Sequence, residues 1–132
     1  MTTTDEFVSV RYMVDDVEAA IAFYTTHFGF TVLTNAAPAF ADVARGCLRL
    51  LLSGPKSSAG RAMPDGREPR PGGWNRIHFI VDDIAAETER LRDAGIVFRN
   101  DVLTGPGGSQ VLVDDPSGNP IELFQPAAPP PA

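Results

Sequence analysis

The sequence predicts an α+β fold made of two repeats of one βαβββ module, and three observations predict it. The triplet Asp15-Asp16-Val17 returns as Asp82-Asp83-Ile84, 67 residues on (position 83 against position 16). Each triplet follows a run in which apolar residues alternate with a period of two, and each precedes apolar residues at helical spacing that stop at Gly29 or Gly95. Repetition of a whole supersecondary unit is improbable by accident, so this offset outweighs any single strand assignment.

In the first module, Val8, Val10, Tyr12 and Val14 alternate with Ser9, Arg11 and Met13, the pattern of a strand with two distinct faces. Asp15-Asp16 offers an N-cap, and Val17, Ala20, Ile21, Tyr24 and Phe28 then predict a helix over 17–28. Strands are expected over 30–34, 39–44 and 47–53, punctuated by Asn35, Pro38 and Gly46. The second module repeats the order, with a strand over 74–81, a helix through Ile84, Leu91 and Ala94, and strands over 98–103, 109–113 and 120–125. The last of these follows the tight-turn sequence Asp115-Pro-Ser-Gly-Asn119. Module one therefore covers 5–53 and module two 74–125. Between them, 54–73 holds five glycines, four prolines and four basic residues and is expected to be a loop without regular structure, either a lid or a plain linker. The proline-rich 126–132 is expected to be extended or disordered and unable to pair into a sheet.

At 132 residues and 43% hydrophobic, the chain suits one domain with a real core. A net charge of −6 argues against nucleic acid, which calls for a concentrated cationic face. No run approaches the roughly 18 apolar residues of a membrane span, and Met1 to Phe7 is too polar for a secretory signal, so a cytoplasmic protein with no membrane partner is expected. The only cysteine, Cys47, has no disulfide partner in the chain and reads as a small buried hydrophobe in a strand.

The motifs resemble those of the vicinal oxygen chelate superfamily, the group of glyoxalases, bleomycin-resistance proteins and extradiol dioxygenases. They are Val14-Asp15-Asp16-Val17 with Phe23-Tyr24 and Phe28-Gly29-Phe30, then Ile77-His78-Phe79-Ile80-Val81-Asp82-Asp83 with Leu91 and Gly95, and finally Asp115-Pro-Ser-Gly-Asn-Pro-Ile-Glu-Leu-Phe124. The resemblance implies a curved, incompletely closed, barrel-like sheet of eight strands around a small-molecule cavity, and a homodimer in which the cavity lies within one chain or between exchanged modules. It does not choose an activity, because the group spans lyases, isomerases, dioxygenases, transferases and pure drug binders. Metal-dependent relatives carry one ligand, commonly His or Glu, on the first and fourth strand of each module. Seven residues before Asp16 stands Ser9, and seven before Asp83 stands Arg76; the fourth-strand position falls near Arg49 or Leu51 in module one and at Glu122 in module two. Only Glu122 keeps the ligand type, so no cofactor is expected, with Glu122 and His78 as the residual route to a divalent metal.

Strand parity divides the side chains. Val8, Val10, Tyr12, Leu48, Leu50, Ile77, Phe79, Val81, Ile121 and Leu123 are expected against the helices, and Ser9, Arg11, Met13, Arg49, Leu51, Arg76, His78, Glu122 and Phe124 on the cavity face. Three arginines in a cleft favour an acidic or oxygen-rich ligand with an apolar part, although Arg76 could instead pair with Glu122, and Arg11 and Arg49 could reach a solvated rim. Trp74, after Pro71-Gly72-Gly73, is placed either to stack on a flat ligand or to cap the barrel end. His27, at the end of the first helix, is read as a surface residue complementing the helix dipole. Two functions follow. One is a metal-free protein binding an aromatic or acidic metabolite or antibiotic through Ser9, Arg11, Arg49, Trp74, Arg76, His78, Glu122 and Phe124. The other is a glyoxalase- or dioxygenase-like enzyme using His78 and Glu122 as catalytic residues, with a weakly held metal or by acid–base chemistry alone.

Overall fold

The computed structural model describes residues 6–128. They fall into two compact units, Met1–Gly72 and Gly73–Ala132, each carrying one module. In the first unit the order is β1 (Val8–Met13), α1 (Val17–His27), β2 (Thr31–Ala36), β3 (Phe40–Arg45) and β4 (Leu48–Ser53). In the second it is β5 (Ile77–Ile80), α2 (Ile84–Asp93), β6 (Val97–Phe98), β7 (Leu103–Gly105), β8 (Gly108–Asp114) and β9 (Pro120–Pro126). The expected α+β class and repeated module order are present. Among the described residues the strands form two sheets, of four and five strands. No helix among them is long and apolar enough to cross a membrane.

The helix boundaries follow local chemistry. Asp16 and Asp83 are extended residues whose carboxylates accept from the backbone N–H of Ala19 at 3.1 Å and Ala86 at 3.0 Å, capping α1 and α2. Gly29 and Gly95, at φ 69° and 78°, turn the chain out of each helix in a conformation other residues avoid.

In the first unit β1 lies parallel to β4, with Ser9 opposite Arg49 and Arg11 opposite Leu51, and the sheet order is β1-β4-β3-β2. Tyr12, Ala41, Val43, Leu50 and Leu52 are buried with Val17, Ala20, Phe23 and Tyr24 of α1. Val8, expected in this core, is 63% exposed, since it begins an edge strand and α1 packs on β2, β3 and β4. Cys47, expected to be buried in a strand, is exposed. Arg45 pairs with Leu48, which leaves Gly46 (φ 59°) and Cys47 as a two-residue hairpin loop. The segment expected to lack regular structure contains a 3-10 turn at Ser58–Gly60, held by Ser57, whose hydroxyl donates to the Gly54 carbonyl at 2.7 Å and accepts from Gly60 N–H at 3.1 Å.

In the second unit the order is β5-β9-β8-β6, with β7 also pairing β8. The strand expected over 74–81 begins only at Ile77, opposite Ile121 of β9. Pro120 is the cause, for it has no N–H to offer the residues preceding Ile77. The strand expected over 98–103 is interrupted at 99–102, where Asn100 Oδ1 accepts from Leu112 N–H at 2.8 Å and so replaces a backbone carbonyl in the ladder. Pro126, expected to lie outside the sheet, is the last residue of β9, opposite Gly108. Ala127 N–H bonds the Gly107 carbonyl, so Pro126 sits at a position where β8 needs no N–H from it. Residues 129–132 of the expected tail lie outside the described residues.

Candidate functional site

The face of the second sheet away from α2 carries the densest chemistry. Ile77, Ile121, Leu123, Val111 and Val113 are buried with Ile84 and Leu91 of α2, so their sequence neighbours point to the other side. The register then sets out rows: His78, Glu122 and Leu112 stand side by side, and Ile80, Phe124 and Gln110 form the next row. Arg76, just before β5, reaches Glu122 through Nε and Nη2, both 2.9 Å from Oε1, while its Nη1 donates to the Trp74 carbonyl at 3.2 Å. His78 Nε2 lies 3.4 Å from Glu122 Oε2, an ion pair when the imidazole is protonated. The Glu122 side chain is only 9% exposed, against 44% for His78. The His78 ring also lies 5.2 Å from that of Phe124, tilted by 35°. Glu122 is thus a buried carboxylate held on Oε1 by Arg76, with His78 near Oε2 and the partly buried Phe124 ring beside it.

On the matching face of the first sheet, Arg49 Nε donates to Ser9 Oγ at 2.9 Å, and Arg11 Nη1 donates to Ser53 Oγ at 2.8 Å. Parity therefore brings Ser9, Arg11 and Arg49 to one face, as expected. Asp42 joins them from β3, with Oδ2 at 3.6 Å from Arg49 Nη1 and a buried Oδ1 that has no hydrogen-bond partner among the described residues. Sequence reasoning missed Asp42 because its importance depends on the β3–β4 register, which sets it beside Leu51. Arg11 makes no ion pair with any described residue, and its partner is a neutral hydroxyl. A separate hollow of about 200 Å³ in this unit lies between Met13 and Asp15 and prolines 55, 69 and 71.

Trp74 does not stand at the head of a strand. It is 68% exposed, and the Arg99 guanidinium lies 4.6 Å from its ring centroid. Arg99 is held in turn by Asp114 at 2.6 Å and by the carbonyls of Gly73 and Gly118. His27 ends α1 with its ring 5.7 Å from Phe23. Gln110, Leu112 and Leu103 are further residues on the Glu122 face that sequence reasoning missed; the period-two alternation of 109–113 was the signal for the first two.

The model of the glyoxalase/bleomycin resistance protein/dioxygenase superfamily matches residues 6–123. The chain belongs to this superfamily. Among solved structures it is similar to a member of the superfamily from Sphaerobacter thermophilus, at 27% identity and a TM-score of 0.71, covering 90% of this chain and 95% of the other. It is also similar to TnmS3, an antibiotic binding protein from a Streptomyces species, at 26% identity and a TM-score of 0.69, covering 96% and 98%. A lactoylglutathione lyase from Agrobacterium tumefaciens shares the fold at 24% identity, a TM-score of 0.71 and coverage of 90% and 92%. No curated protein matches the chain.

The strand registers resolve which fourth-strand residue in this superfamily member corresponds to Glu122. Arg11 opposite Leu51 repeats His78 opposite Glu122, so the position is Leu51 and not Arg49. The four positions are then Ser9, Leu51, Arg76 and Glu122. In the second unit they do not fit a divalent metal, because a guanidinium already occupies Oε1 of the sole carboxylate. Among the described residues, no three or more His, Cys, Asp and Glu are grouped so as to hold a metal ion.

Proposed function

We propose that this superfamily member binds a small aromatic or acidic molecule on the face bearing Arg76, His78, Glu122 and Phe124, without a metal and without altering it. The observation that carries this reading is the double contact of Arg76 with Glu122 Oε1, which sets a guanidinium charge where a Lewis acid would have to sit beside that oxygen. The half-exposed His78 ring and the partly buried Phe124 ring beside it support an aromatic ligand, since a flat ring gains stacking and apolar burial there. The similarity to an antibiotic binding protein supports antibiotics as one class of candidate.

Calorimetric titration of chelator-treated protein with naphthoate and with a panel of aromatic antibiotics tests the proposal. Saturable binding that is indifferent to added zinc or nickel, weakened about tenfold by Phe124→Ala, with the ligand recovered unchanged, is the expected result. Chemical conversion of a bound compound, or binding that needs metal, overturns it. The 3.4 Å approach of His78 to Glu122 favours a second reading, acid–base catalysis with His78 moving the proton and Glu122 orienting the ring. Product formation abolished by His78→Gln establishes that reading instead.

A further inference from the structure

Beside the Glu122 row lies a hollow of about 340 Å³ whose walls differ in character from the charged row. Its floor is the row Phe124, Gln110 and Leu103, carried by β9, β8 and β7, and its rim is the β7–β8 hairpin with Thr104 and glycines 105, 107 and 108. Phe124 is shared with the site proposed above. Leu103 is 55% exposed and Ile80, on the other side of Phe124, is 63% exposed, so the row presents apolar surface to solvent.

No ionisable side chain lines this hollow. Thr104 is committed, since its Oγ1 lies 2.9 Å from Ser109 Oγ in a hydrogen bond. Gln110 is not: its carboxamide makes no hydrogen bond with any described residue. One planar group that both donates and accepts therefore stands in an uncharged recess. Gly108, at φ 147°, shapes the recess, for a Cβ there would collide with the Gln125 carbonyl and crowd the Phe124 ring edge. Gly105, by contrast, pairs with Gly108 on the same face and would meet nothing within 4 Å on gaining a Cβ.

We infer that this hollow receives the neutral, flat ring of the ligand, and that Gln110 selects rings carrying an adjacent N–H and C=O, the edge of a lactam or cyclic imide. A carboxamide pairs with such an edge through two parallel hydrogen bonds, whereas uncharged walls disfavour an ionised ring. Glu122 and Phe124 are two strand residues apart, so an acidic or polar substituent should lie about 7 Å from that ring, beside His78 and Arg76. This inference rests on the proposed binding face and adds the ligand's class to it.

The test compares a quinolinone carboxylate, which has the lactam edge, with naphthoate, which lacks it, by calorimetry on the full chain. Wild-type protein should favour the quinolinone by about tenfold, and Gln110→Leu should erase that preference. Gly105→Leu, which fills the hollow from a position with open space, should weaken both probes about tenfold with an unchanged unfolding midpoint. If both probes bind through Phe124 but neither variant alters them, the inference is overturned and the proposed function stands. If neither probe binds wild-type protein, both fall together.

Discussion

Two nitrogens of Arg76 converge on one oxygen of Glu122, each at 2.9 Å, so the guanidinium occupies the space that a metal ion would need beside that carboxylate. Removing one partner should therefore cost more than removing both. Arg76→Leu leaves Glu122, 9% exposed, without its main counter-charge and is expected to destabilise the protein by about 2 kcal/mol, a value discounted because the Arg76 side chain is 30% exposed. The double variant with Glu122→Leu should recover most of that loss. Urea unfolding measures both, and a single variant as stable as wild type would refute the pairing argument.

The same pair makes a prediction about metals. After exposure to zinc or nickel and gel filtration, wild-type protein should retain well under one equivalent. Arg76→His frees Oε1 and supplies a second imidazole beside His78, so its metal affinity should rise at least about tenfold. Elemental analysis decides; stoichiometric metal on the wild type contradicts the fit described above.

Asn100 substitutes for a backbone carbonyl by accepting from Leu112 N–H at 2.8 Å. Asn100→Ala strips that partly buried donor of its partner and should cost about 1–2 kcal/mol, with faster exchange of the Leu112 amide proton. Asn100→Asp keeps an acceptor and should cost less. Equal exchange rates in all three proteins would show that the side chain has no part in the ladder.

The repeated helix caps should be equivalent in energy. Asp16→Ala and Asp83→Ala each remove the acceptor for the N–H three residues on, for an expected loss of about 1 kcal/mol. Asp82→Ala is the control, since its carboxylate makes no hydrogen bond with a described residue, and its melting temperature should match wild type. A loss at Asp82 as large as at Asp83 would displace the cap by one position.

Much of this architecture was legible because it is local. Cap residues, stop glycines and the period of two each act within a few residues, so both helices and the shared face of Arg76, His78, Glu122 and Phe124 followed from spacing alone. Two of the misreadings originate in pairing between strands. Cys47 has the apolar neighbours of a strand residue, but Arg45 lies opposite Leu48 and leaves it in the hairpin loop, and the strand expected from Trp74 is shortened by Pro120, 46 positions away (120 against 74). Asp42 carried no pattern that would single it out, and it matters because β3 sets it next to Leu51 and within reach of Arg49.

The order of residues along the chain was enough to establish the repeat, the caps and the direction each strand residue faces, since those depend on backbone geometry over one or two turns. Which groups from distant strands meet had to await the folded sheets. Register, set by packing across the whole module, chose Leu51 over Arg49 as the counterpart of Glu122 and brought Gln110 beside Phe124.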